Sequence, residues 1–582
     1  MRIINRYLKP YYWRMAGGFA VKFFGTVMDL LLPWILAYII DEVVVQNDIN
    51  KVLLWGLVML LCAICAVLGN VIANRMASAV ARDSARTIRN DLFRKIQDLS
   101  CNQVDHFTES SLISRMTTDT YNLHNFIGRM QRLGVRAPIL LFGGIVVTMT
   151  LDPVLSLILI ATLPFLGIVV FFVSKKGVPL YSEQQTAADK LIRKVRESIT
   201  GIRVLKALSK TAYEKGEFEK INSNVVRKEK KAGMIMAVTN PVMNFLLNMG
   251  WVVLIVVGAY RVNAGLTQPG KIIAFLTYFT IILNAMLSIT RIFVMYSKAS
   301  ASAYRIGAVL DECRDLQQID QVYAEEVEKK ACMERNGQEE IAFENVTFSY
   351  NGKMNNVENV SFELEKGQTL GIIGATGSGK TTLANLMMRF YDADSGSVRI
   401  AGQDVRKYTQ EELHQKFGVV FQNDTLFEDT VYENINLGRN IDHKTIQQAA
   451  GIAQIHDHIE SMENGYDSFV AIKGANMSGG QKQRLLIARA LANHPEILIL
   501  DDSSSALDYK TDALMRNEIR KQFLDTTIVI VAQRVSSVMN ADRILVIDEG
   551  KIIAQGTHEE LLKNCEEYKN ISQLQLGTEA VS

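Results

Sequence analysis

Apolar and polar residues alternate along this chain on two different scales. In the first half the apolar runs are long, at 17–40, 52–80, 133–149, 155–172, 234–260 and 271–294. A helix crosses a hydrocarbon core with about 20 mostly apolar residues, so these runs predict six transmembrane helices. Between the second and third runs, and between the fourth and fifth, the chain turns polar without losing helical spacing. Leu92, Ile96 and Leu99 keep it in one stretch, and Leu191, Val195, Ile199 and Ile202 in the other. The helices are therefore expected to continue tens of ångströms beyond the bilayer and to turn back near 102–109 and 207–213. After residue 340 the apolar runs shorten to strand length and alternate with helical patterns, which predicts a mainly parallel α/β sheet.

The expected architecture is thus an all-α six-helix transmembrane domain with long cytoplasmic helical extensions (1–310), a linker (311–340) and an α/β domain (341–582), which the glycine-rich loop at 374–381 described below makes a P-loop nucleotide-binding domain. The linker is dense in charge and poor in apolar residues. Residues 1–14 mix basic and aromatic side chains and read as an amphipathic elbow at the membrane surface; they lack the short apolar core and small-residue cleavage site of a signal peptide. Loop charge orients the spans. The short connections 41–50, 150–154 and 261–270 hold one basic residue between them, whereas Lys and Arg are frequent in 75–95 and 175–231. By the positive-inside rule both termini are cytoplasmic.

Composition agrees with a membrane part joined to a polar part: 48% of the 582 residues are hydrophobic, yet 21% are charged. A net charge of +2 gives no nucleic-acid footprint. The six cysteines show no disulfide framework or metal-ligand spacing. Arg129, Arg132 and Arg136 enter the third apolar run from its polar side. Charges so placed face a cavity or snorkel, which makes them candidates for drawing in an anionic or amphipathic substrate.

The sharpest chemical signal is Gly374, Ala375, Thr376, Gly377, Ser378, Gly379, Lys380 and Thr381, between an apolar strand pattern and a helical one. Glycines let the backbone turn several N–H groups onto phosphate oxygens; Lys380 brings a cation to the β/γ-phosphates and Thr381 a hydroxyl to Mg²⁺. Downstream, Ile497 to Leu500 form a fully apolar strand ending in Asp501, the position of the second metal-holding element of such nucleotidases. Ser478 is placed to start a helix.

With these residues together, the chain resembles an ATP-binding-cassette exporter half-transporter of the multidrug type over nearly its whole length. Met477, Ser478, Gly479, Gly480 and Gln481 match that family's signature. The resemblance implies ATP with Mg²⁺, Tyr350 stacking on adenine, Thr382 within the nucleotide loop, Gln422 sensing Mg²⁺, and Asp508 in the loop that communicates across a dimer. It also implies a catalytic Glu and a His at the positions held here by Asp502 and Gln533. A general base must lie within roughly 3 Å of its proton, and Asp is one methylene shorter than Glu. Both departures fall on the site built on this chain's own loop. The expectation drawn from them is a degenerate-site subunit, paired with a second, non-identical half-transporter that keeps the Glu and the His. Such a pair would export hydrophobic or amphipathic compounds across the bacterial cytoplasmic membrane, in contact with membrane lipids and without nucleic acid. The alternative is a homodimeric exporter or flippase of lipid, lipopeptide or peptide. A soluble cassette protein is excluded by the six apolar runs.

Overall fold

The computed structural model describes residues 2–316, 339–423, 425–503 and 506–576. It divides into two compact units, one of residues 1–98 and 108–312, the other of residues 99–107 and 313–582. Most of the charged linker expected at 311–340 lies outside the described residues.

The first unit is built from long helices: Tyr12–Tyr38, Ile49–Gln97, Thr120–Leu151, Pro153–Thr200, Thr211–Asn263 and Pro269–Leu310. Four of them span 42 to 53 residues, roughly 60 to 80 Å at 1.5 Å per residue. Helical spacing through the polar stretches is realised as helix as far as Gln97 and Thr200; Leu99 lies beyond the first end, and Ile202 opens a separate short helix, Ile202–Ala207, after Gly201. Among the described residues, Arg2–Gln46, Ile49–Gln97, Glu109–Leu151, Pro241–Asn263 and Pro269–Ile289 are long and apolar enough to cross a membrane, and Pro153–Val169 is apolar but shorter. Leu53, Leu57, Leu60, Leu61 and Leu68 point outward from the second of these. So continuous an apolar face is foreign to a water-exposed helix. The core holds Leu155, Leu254, Phe275, Tyr278 and Ile282.

Carboxylates cap two helix starts. Asp152 accepts the Val154 and Leu155 N–H groups at 3.0 and 3.2 Å, and Asp41 accepts those of Gly270 and Lys271 at 2.6 and 3.0 Å. Asp152 also pairs with Arg261 at 3.2 Å. The three short connections therefore gather at one end of the bundle. At the chain start, the Arg2–Leu8 helix packs Ile3, Ile4 and Tyr7 inward, and the Tyr7 hydroxyl donates to Asp91 at 2.9 Å.

The second unit carries a six-stranded sheet in the order Lys551–Gly556, Arg543–Asp548, Thr369–Gly374, Thr527–Ala532, Ile497–Asp501 and Phe417–Val420. All neighbours are parallel except the first pair. The inner strands are buried on both faces, the reason they read as continuous apolar runs. In-register pairing of Val531 with Asp501, and of Ala532 with Ile373, brings three carboxyl-terminal strand ends to one edge. A second, antiparallel sheet of Val357–Glu365, Glu339–Phe348, Ser395–Ile400 and Gln403–Asp404 departs from the mainly parallel expectation. Its Val357–Glu365 strand alternates buried and outward positions, the mark of an antiparallel strand with one wet face.

The short Cys101–Phe107 helix belongs to this unit rather than to the long helices flanking it in sequence. The Tyr391 hydroxyl donates to Asp105 at 2.6 Å, and Ser100 to Asp315 at 2.9 Å. The turn expected near 102–109 is thus docked on the nucleotide-binding fold.

Candidate nucleotide-binding site

The loop from Gly374 to Thr381 leaves the end of the Thr369–Gly374 strand and enters the Lys380–Met387 helix. Its glycines are required by space and by backbone. A Cβ on Gly374 would lie 2.1 Å from the Ile547 carbonyl oxygen; Gly379, at φ 103°, would place one 2.5 Å from that of Asn356. Left-handed φ and so close a backbone approach leave only glycine at that position. Ala375 and Ser378 complete the turn, the Ser378 carbonyl accepting the Gly550 N–H at 3.1 Å.

Lys380 is buried at 8% exposure. Its ammonium donates to the Gly374 and Ala375 carbonyls at 3.0 and 2.6 Å. Burial pulls its pKa below the usual lysine value, against the opposing pull of Asp501 and Asp502. Thr381 Oγ1 donates to Asp501 Oδ2 at 2.9 Å. Burial raises the Asp501 pKa and the neighbouring Asp502 charge adds to this, while the Thr381 hydrogen bond and Lys380 oppose it. Beside this pair Asp502 takes a left-handed φ of 49°, a region in which Asp is enriched. Its carboxylate accepts a long hydrogen bond, 3.4 Å, from Gln422 Nε2.

These groups line one cavity of about 200 Å³: Thr376, Gly377, Gly379, Lys380, Thr381 and Thr382 from the loop, Gln422, Asp501, Asp502 and Gln533 from the neighbouring strand ends. Asn356 lines it too, and its Oδ1 accepts the Tyr350 N–H at 3.1 Å. Sequence reasoning passed over Asn356; the signal was a glycine at 379 whose backbone needs a neighbour at contact distance. Tyr350 stands at the cavity's edge, its hydroxyl 3.4 Å from Thr382 Oγ1 and accepting from Asn385 at 3.2 Å. Phe348 and Tyr391 meet its ring edge-on, and the residue is 42% exposed.

Two expected groups lie apart from this lining. Ser478 caps the Gly479–Leu491 helix: its Oγ accepts the Gln481 N–H at 3.3 Å, and its own N–H donates to Gln481 Oε1 at 2.7 Å. Gly479 and Gly480 form the first turn. Asp508 caps the Tyr509–Gln522 helix through the Thr511 N–H at 2.9 Å, which holds its carboxyl below the usual range.

Residues 15–286 match the ABC transporter transmembrane region and residues 357–505 the ABC transporter family. The chain is 34% identical over 579 residues to the uncharacterized ABC transporter ATP-binding protein YfiB of Bacillus subtilis, covering 98% of each chain. It is 32% identical to an uncharacterized ABC transporter ATP-binding protein of Mycobacterium tuberculosis, covering 98% of this chain and 97% of the relative. In fold it is similar to a bacterial Atm1-family ABC exporter with ATP bound, at a TM-score of 0.80 and 22% identity, covering 96% of this chain and 98% of the other.

That likeness corrects one expectation. A non-identical partner carrying an intact Glu and His does not stand against the match of 96% of this chain to the chain of that exporter. The physical reason is that Asp502 and Gln533 describe the chemistry of a single site. They carry no information about the surface through which the chain pairs. The loop, the strand-end carboxylates and the signature helix constitute an ATP-binding and hydrolysing domain. With a membrane region and that domain fused on one polypeptide, the chain belongs to the ABC transporter family.

Proposed function

We propose that two copies of this chain form one exporter. ATP binding draws the two cassettes together, hydrolysis releases them, and hydrophobic or amphipathic compounds are moved out across a bacterial cytoplasmic membrane. The observation that carries this reading is the separation of two phosphate-binding elements on one domain. The loop, Asp501, Asp502, Gln422 and Gln533 share a cavity, while Ser478 to Gln481 cap a helix outside its lining. A helix N-terminus offers N–H groups and a positive dipole end to phosphate. Set apart from its own chain's loop, this one serves the nucleotide held by the second copy.

Within each site Lys380 exchanges two loop carbonyls for β/γ-phosphate oxygens, and Tyr350 offers a ring face to the adenine. Thr381 and Asp501 supply hard oxygen ligands 2.9 Å apart. Among the described residues no cluster of three or more His, Cys, Asp or Glu could cage a metal by itself. That donor set fits Mg²⁺, which keeps water and substrate phosphates in its shell, with Gln422 beside it. The ion, when bound, neutralises charge on the phosphates. Asp502 accepts a proton from the attacking water as its oxygen bonds to the γ-phosphorus and the bond to ADP breaks. Gln533 donates to the γ-phosphate. A short base and an uncharged amide make both sites of the homodimer slow. Asp508 starts the helix behind the loop that links the two sites.

The bundle is read as six spans with both termini in the cytoplasm and with boundaries at 1–310, 311–340 and 341–582. The clustering of the nearly base-free connections at one end supports this orientation. Multidrug efflux is the leading substrate reading, with export of lipid, lipopeptide or peptide as the second. The test is to purify this chain alone, place it in lipid vesicles, and measure ATP hydrolysis and ATP-dependent accumulation of a hydrophobic dye. Slow but substrate-stimulated hydrolysis with dye uptake into inside-out vesicles is expected; hydrolysis without any transport would overturn the exporter reading.

A further inference from the structure

Inside otherwise apolar sequence, the Tyr12–Tyr38, Ile49–Gln97 and Thr120–Leu151 helices meet at a polar cluster. Each contributes side chains at helical spacing: Lys22 and Asp29 from the first, Asn70 and Asn74 from the second, Arg132 and Arg136 from the third. Two glycines bring the first two helices to backbone contact. A Cβ on Gly25 would lie 3.1 Å from Asn70 N, and one on Gly69 would lie 3.1 Å from Gly25 Cα.

The contacts there are specific. Lys22, only 4% exposed, donates to Asn74 Oδ1 at 3.1 Å. Asp29 Oδ2 accepts from Asn70 at 3.1 Å and from Arg136 at 3.0 Å. Arg132 places its Nε–H on the Gly128 carbonyl at 3.1 Å, and Lys22 lies close enough to feel the charges of both arginines.

Charge does not balance in this cluster. Over residues 12–40, 49–80 and 120–151 the sequence holds one carboxylate, Asp29; within the cluster it stands against Lys22, Arg132 and Arg136. A knot that only tied helices together needs hydrogen bonds, not an excess of two positive charges at membrane depth. Arg136 Nε and Asn70 Oδ1 are buried with no hydrogen-bond partner among the described residues. The Arg136 side chain is nevertheless 43% exposed, so the cluster opens on one side. An unused donor, surplus positive charge and an opening together define a place for an acceptor that carries negative charge.

We propose that Lys22, Arg132 and Arg136 bind the acidic head group, carboxylate or phosphate, of an amphipathic transport substrate. The inference rests on the exporter reading and narrows its substrates from hydrophobic compounds at large to amphipathic anions. Asp29 is a positioning residue: it fixes Arg136 and limits the surplus charge when no anion is bound.

The test uses the full chain in neutral phosphatidylcholine vesicles without nucleotide. Fluorophore-labelled alkyl phosphate, alkyl carboxylate, alcohol and trimethylammonium probes of equal chain length are titrated. The two anions are expected to bind at least tenfold more tightly than the alcohol, and the cation more weakly. Arg132→Gln, which breaks no ion pair, should remove that preference and leave alcohol affinity unchanged. Asp29→Asn, which keeps the shape and removes the negative charge, should hold or strengthen anion binding. Elution as a single species and an unchanged thermal midpoint verify folding of each variant. Equal affinity for alkyl phosphate and alcohol in the unmodified protein, or an anion preference that survives Arg132→Gln, would overturn the proposal. Competition by inorganic phosphate as strong as by alkyl phosphate would overturn its amphiphilic part. Anion-selective binding without ATP-dependent transport would sink the exporter reading and leave this site standing; transport indifferent to head-group charge would do the reverse.

Discussion

Replacing Lys380 by Ala removes the one cation that the loop holds over the nucleotide cavity. Its ammonium already makes hydrogen bonds of 3.0 and 2.6 Å to the Gly374 and Ala375 carbonyls, so ATP binding exchanges those bonds for phosphate ones. A hydrogen bond to a charged group contributes about 1.5–3 kcal/mol, and two of them to phosphate would give roughly 3–6 kcal/mol. Discounting about half for the carbonyl bonds given up leaves about 1.5–3 kcal/mol, or about 10- to 140-fold in Kd at 1.4 kcal/mol per tenfold. Lys380→Met keeps most of the buried stem and should lose nearly as much, which separates charge from packing. The assay is titration of a fluorescent ATP analogue against the detergent-purified chain, with thermal unfolding as a control for the loop's integrity. Binding by both variants within threefold of the unmodified protein would refute the placement of the phosphates at Lys380.

Other expectations follow from the same geometry. Lengthening the base by Asp502→Glu should raise ATP turnover about tenfold, and Asp502→Ala should lower it, since a positioned base contributes about 10²- to 10⁴-fold; two unchanged rates would take Asp502 out of that role. Tyr391→Phe deletes the hydroxyl that donates to Asp105 at 2.6 Å, worth about 1–2 kcal/mol, and should weaken substrate stimulation of ATP hydrolysis with little effect on the basal rate. Stimulation of full size would show that this contact carries no coupling. A cysteine at Gly265 should react with an impermeant thiol reagent from outside whole cells and one at Asn423 only after permeabilisation; reversed labelling would invert the orientation.

The parts of the site most legible in the sequence were those whose chemistry fixes their spacing. A phosphate loop needs its glycines, lysine and threonine within eight positions, and the structure shows why: Gly374 and Gly379 have backbone oxygens where a Cβ would be. Asp501 was legible because a strand buried on both faces is a continuous apolar run, so the carboxylate ending it stands out. Asn356 was not, since it lies in the connection just before the Val357–Glu365 strand, where no apolar run or motif marks it. The docking of Tyr391 on Asp105 joins residues 286 positions apart, and no local pattern announces such a contact. The pairing expectation failed for a related reason. Asp502 and Gln533 speak of a rate, whereas the choice of partner is written on surfaces that a motif does not include.

Closure of one copy's signature helix over the phosphate loop of another is what the proposed function requires. It is tested most directly by cross-linking in a cysteine-free background, with one population carrying Thr376→Cys and the other Ser478→Cys. On mixing the two and adding ATP with a short bifunctional thiol reagent, a covalent dimer is predicted from the mixture and from neither population alone. No covalent dimer from the mixture under ATP, or a cross-link formed within single copies that carry both cysteines, would contradict it.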